Sequence, residues 1–77
     1  MINKNLYPYW FLVTYNTLNL MYDLDNLDYV LTPHFGRCNM RWSIECHSVN
    51  VEPGETVVAV MFLKEQDCFL ARILING

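Results

Sequence analysis

From Thr56 to Leu63 the chain runs through Val57, Val58, Ala59, Val60, Met61 and Phe62 without a charge. β-branched and aromatic residues dominate the run, so it reads as a strand. Successive side chains of a strand point to opposite faces, and here the odd and even positions are equally apolar. Both faces must therefore be covered, which places this strand in the middle of a sheet.

A chain of 77 residues has little material for that covering, and one of this size buries only about 60% of its unfolded surface. The chain is expected to form a single domain over residues 1–77. Its hydrophobic fraction is 53% and its charged fraction 17%, against about 45–50% and about 25% in ordinary globular chains. This composition excludes disorder. It leaves more apolar surface than one small core hides, so a protein partner or a homo-oligomer, a dimer, is expected.

The rest of the second half supports a sheet. Met40, Trp42, Ile44 and Cys46 alternate with Arg41, Ser43, Glu45 and His47, the period of a half-buried strand. The apolar positions then shift to Val49 and Val51, which predicts a β-bulge near His47 and Ser48. Glu52, Pro53, Gly54 and Glu55 follow, with proline and glycine where a type II turn wants them. Lys64, Glu65, Gln66 and Asp67 read as a second turn. The expected fold is α+β: a three-stranded antiparallel meander over about 39–51, 55–64 and 67–75. In the register that a Glu65–Gln66 loop implies, Ile44, Cys46, Met61, Leu63 and Leu70 share the core face. Val58, Val60, Phe62, Phe69, Ala71 and Ile73 share the other face, an apolar surface with a polar rim.

The first half is less regular. Tyr9 to Tyr15 is aromatic and β-branched, which predicts an N-terminal strand over about 9–15. Leu20, Leu24, Leu27 and Leu31 have helical spacing, with Leu18, Met21 and Tyr22 widening the stripe, so a helix is expected within 17–31. Asp25 is a candidate cap for a shorter version of it. Leu18, Leu20, Tyr22 and Leu24 also alternate, and an all-β fold is the alternative. Pro33 and Gly36 mark a break between this part and the sheet.

The net charge of −3 is too small for a partner held mainly by charge, and its sign is wrong for an ordinary nucleic-acid binder. Asp23, Asp25 and Asp28 read as a solvated face. The longest apolar runs fall short of the roughly 20 residues that span a bilayer. The start lacks the apolar core of a signal peptide. Cys38, Cys46 and Cys68 are odd in number, which fits reduced thiols. The expectation is a complete, soluble, cytoplasmic product with no membrane association.

Few residue patterns carry chemistry. His34 and Cys38 are the nearest approach to paired metal ligands, while Cys46 and His47 would point to opposite faces of a strand. No phosphate loop, serine elbow or paired acid motif is present. The expectation is no enzyme, no cofactor and no metal.

The segment from His34 to Trp42 holds two of the three arginines and two aromatics, residue types enriched at binding hot spots. Together with the apolar second face it predicts a partner-binding surface of Phe35, Arg37, Arg41, Glu45, His47, Val60, Phe62 and Phe69. The function expected is a small non-enzymatic protein-binding protein, an inhibitor or adaptor that occludes a partner's surface. Base rates among small inhibitors give the further expectation of a viral or mobile-element origin. The alternative is a small nucleic-acid-binding module using Arg37, Arg41 and Trp42.

Overall fold

A computed structural model of the chain describes residues 6–47 and 53–76. In chain order they form β1 (Tyr9–Asn16), α1 (Leu20–Phe35), β2 (Trp42–His47), β3 (Glu55–Phe62) and α2 (Glu65–Asn76), with a 3-10 turn at Thr17–Asn19 leading into α1. The fold is α+β, as expected: a three-stranded antiparallel sheet and two helices. The strand order is β1-β3-β2, and both outer strands run antiparallel to β3. This is the layout of a split β-α-β unit followed by a second helix.

β3 is central, as its two-sided apolarity requires. Val58, Ala59, Val60, Met61 and Phe62 are all buried. Gly54 has φ +84°, which suits the turn read at Pro53 and Gly54. Of the bulge expected near His47 and Ser48, His47 pairs in regular register with Val57, and Ser48 lies outside the described residues.

The third strand of the sheet is not residues 67–75. Those residues belong to α2, and β1 takes the open side of β3 instead. Phe69, Ala71 and Ile73 alternate like a strand, but the helical period competes over so short a run. Cys68, Ala71, Leu74 and Ile75 turn inward onto the core at helical spacing. Glu65 and Asp67 occupy the first turn, where acidic side chains favour a helix. The segment read as a second turn is therefore largely the start of α2, whose Cys68 N–H donates to the Lys64 carbonyl at 3.2 Å.

Helix α1 passes through the break read at Pro33 and ends at Phe35, four residues beyond the expected limit. Pro33 lies in the last turn and forfeits one backbone bond, to the carbonyl of Tyr29. Tyr29 is exposed, so water can serve that carbonyl. Asp25 lies inside α1 and caps nothing. The cap is Asn16, whose Oδ1 accepts from the Leu18 N–H at 2.9 Å at the start of the 3-10 turn.

Both helices pack on one face of the sheet. The core there joins Phe11 of β1, Val60 and Phe62 of β3 and Trp42 of β2 to Leu27, Leu31 and Phe35 of α1 and Ala71 of α2. Phe62 is at the centre: Phe11 stacks on it at 6.2 Å and Phe35 meets it edge-on at 5.5 Å. β2 pairs Trp42 with Phe62 and Ile44 with Val60. The expected register had put Ile44 and Cys46 with Met61 instead. The observed pairing, with Trp42 opposite Phe62, sets Ile44 and Cys46 on the face of Val60 and Val58.

The other face of the sheet is covered differently. Tyr7, from the segment before β1, packs with Trp10 over Ala59 and Met61. Its hydroxyl donates to the Met40 carbonyl at 3.4 Å. One aromatic side chain thus reaches from the β1 side of the sheet to the approach to β2.

Candidate protein-binding surfaces

The arginine- and aromatic-rich segment folds into a tight connection between α1 and β2. Gly36 has φ 83° and ψ −169°, a conformation open in practice only to glycine. Asn39 has φ +72°, which asparagine tolerates better than most residues. Its N–H donates to the Trp42 carbonyl at 2.7 Å. Its side-chain oxygen accepts from the Ser43 hydroxyl, also at 2.7 Å.

This geometry draws most of the segment's chemistry inward. Trp42 is fully buried, and its indole N–H donates to the Gly36 carbonyl at 2.8 Å. A base cannot stack on it. The Arg41 guanidinium sits 5.7 Å from the centre of the Phe35 ring. Its Nη2 donates to both Asp67 oxygens, at 3.1 and 3.0 Å, and its Nε to Oδ2 at 3.3 Å. Arg41 thereby ties the first turn of α2 to the approach to β2. The carboxylate that Arg41 meets is therefore on α2 and not in the acidic group Asp23, Asp25 and Asp28 of α1.

The residues expected to bind a partner do not form one surface. Phe35, Val60 and Phe62 lie in the core and are closed to a partner. They took the wrong side because the expected register reversed which face of β3 looks outward. Glu45 is half-buried on the face opposite the helices, and His47 ends β2 paired with Val57. Arg37 is exposed on the loop. Phe69 is 68% exposed on α2, far along the chain from the others.

Two other surfaces are apolar and open. The first runs along α1 and the turn before it. Leu18, Met21, Tyr22 and Tyr29 are 92%, 74%, 70% and 81% exposed. On a helix their spacing, with Asp25 between, forms one stripe on the side away from Leu24, Leu27, Leu31 and Phe35. Leu18, Met21 and Tyr22 therefore do not widen the core stripe. They start a second one, legible in the sequence as the apolar positions three, four and eleven residues beyond Leu18, with Asp25 at the seventh. Asp25 and Asp28 are exposed at this surface, and Asp28 accepts a hydrogen bond from the Thr32 hydroxyl at 3.0 Å.

The second surface is a groove of about 300 Å³ between the start of β1 and α2, lined by Pro8, Tyr9, Trp10, Glu65, Cys68, Phe69 and Arg72. Arg72 lies over the Phe11 ring, its guanidinium 5.8 Å from the ring centre. Burial pushes the Cys68 thiol up, Arg72 partly offsets this, and Glu65 adds to it.

A smaller cavity of about 220 Å³ opens between the helices beside Tyr15, Asp23 and Leu74. Burial raises the Tyr15 hydroxyl, and the Asp23 charge raises it further. Among the described residues, no group of three or more His, Cys, Asp and Glu side chains is placed to hold a metal ion, and no helix is long and apolar enough to cross a membrane. Comparison with protein families, with curated proteins and with solved structures returns no match to this chain.

Proposed function

We propose that this is a non-enzymatic protein-binding protein, an inhibitor or adaptor that occludes a partner's surface with the outer face of α1. The observation that carries the reading is the exposed stripe of Leu18, Met21, Tyr22 and Tyr29. Tyrosine and methionine are enriched at interfaces. An apolar helix stripe left open after the helix has already packed its own core is the form that groove-binding helices take. Asp25 and Asp28 on the same surface fit a partner whose apolar groove has a basic rim. The mechanism is steric: the helix fills the groove and excludes whatever else would occupy it.

The test is affinity purification from the native host with the wild type, with Tyr22→Ser/Tyr29→Ser and with Phe69→Gln. One protein should be recovered by the wild type and by Phe69→Gln, and lost with the tyrosine variant. When purified, it should bind the wild type at one site. Recovery of the same proteins by all three baits would sink the reading.

A further inference from the structure

The hydrogen-bond phase of the sheet fixes which backbone groups β1 turns outward. In an antiparallel pair, alternate residues bond to the neighbouring strand. The Thr17 N–H donates to the Gly54 carbonyl at 2.8 Å, and on the other side the Leu63 N–H donates to the Arg41 carbonyl at 3.1 Å. With the register of β1 on β3, the residues of β1 bonded to β3 are Tyr9, Phe11, Val13 and Tyr15. Leu12 and Thr14 then direct their N–H and C=O groups away from β3, along the open edge of the sheet. Both side chains are exposed. Among the described residues, no strand lies on the outer side of β1, away from β3.

Edge strands are ordinarily protected by a charge, a proline, a bulge or shortness. β1 has eight residues paired in unbroken register, with no charge, proline or glycine among them. The opposite edge, β2, is shorter and carries Glu45. On the helix side of the β1 edge, Phe69 of α2 lines the groove with Tyr9 and Trp10 and stays 68% exposed.

An occupant of this edge must be an extended strand, uncharged and apolar on both faces. One face meets the side of the sheet that carries Leu12, and the other meets α2. β1 of a second copy is such a strand: it is uncharged, its Leu12 and Thr14 are exposed on one face, and its other face, with Phe11, is already packed against its own helices.

We propose that β1 pairs antiparallel with β1 of a second copy about a twofold axis at Val13. Leu12 of each chain then faces Thr14 of the other, and two three-stranded sheets become one of six strands. The contact is self-complementary, as a twofold interface requires. It draws Phe69 of α2 toward the seam. This surface is separate from the α1 stripe and does not depend on the function proposed for that stripe.

Sedimentation equilibrium tests the pairing on three proteins: the wild type, Leu12→Lys/Thr14→Lys and Tyr22→Ser/Tyr29→Ser. The lysine variant sets like charges directly opposite one another across the seam, which destabilises a strand pair. The expected result is a wild-type dimer, an unchanged dimer for the tyrosine variant, and a dissociation constant raised more than about tenfold for the lysine variant. A monomeric wild type overturns the proposal whatever the variants do. So does a dimer of wild-type affinity in a lysine variant whose circular dichroism is native. Thr14→Pro is a second probe, since it removes an outward N–H without touching the ladder to β3; it too should dissociate the dimer, and an undiminished dimer overturns the proposal.

Discussion

Cys68 lies on the core side of α2, four residues from Arg72 and three from Glu65, and burial is the main reason its thiol is raised. The folded protein therefore holds this proton more tightly than the unfolded chain does. The stability this provides is whole below the unfolded thiol's value, about 8.5, and is lost as pH rises through the higher folded value. The urea midpoint should accordingly fall above that point, and fall less in Cys68→Ala; equal slopes in the two proteins would rule out this account. Tyr15, raised by burial and then by Asp23, adds a second loss at higher pH. At this scale the sequence was legible for residue type and poor for partnership. Arg41 and Trp42 stood out as chemically capable side chains. That Arg41 would meet Asp67 and Trp42 would meet the Gly36 carbonyl depends on α2 and on the turn at Gly36, neither of which has a local signal strong enough to reveal the pairing.

Among the elements, the connections separate two uses of glycine. Gly54 has φ +84° in a turn with nothing crowding a would-be side chain. Gly36 combines φ 83° with ψ −169° at the end of α1. Gly54→Ala should cost about 1–2 kcal/mol, the ordinary price of left-handed backbone for an L residue, with Gly54→Asn costing less. Gly36→Ala should cost about 1–3 kcal/mol, and Gly36→Asn should recover none of it, because asparagine's tolerance covers the left-handed helical region only. Denaturant unfolding of the four variants checks both; recovery by Gly36→Asn would show that the backbone there relaxes. The strands and α1 were readable because long periodic runs carry their own signal. α2 was not: from Cys68 to Ile75 the apolar residues satisfy two periods at once. Glu65 and Asp67 in the first turn favour the helix weakly, and packing of Cys68, Ala71, Leu74 and Ile75 on the core completes the choice, a contact absent from the local sequence.

Taken whole, the molecule is organised around Phe62, which touches rings from β1 and α1 and is fully buried. Phe62→Ala should cost about 3–5 kcal/mol, a large part of the roughly 4–12 kcal/mol available to a chain of this length. Phe69→Gln, on the exposed face of α2, should leave the unfolding midpoint within about 0.5 kcal/mol of wild type. Thermal and urea unfolding decide this, and a large loss in Phe69→Gln would mean that α2 is anchored differently. The sequence ranked these two phenylalanines together because the expected meander put both on one sheet face; converting its last strand to a helix separated them. The strand order carries a consequence for how the chain comes into being. The middle strand is the last of the three to be made, and Tyr9 waits for Phe62 while everything between them is synthesised. Until β3 emerges, β1 and β2 have no shared partner. A chain stopped before Glu55 lacks the one strand that both β1 and β2 pair with, so the three-stranded sheet can close only once β3 is made.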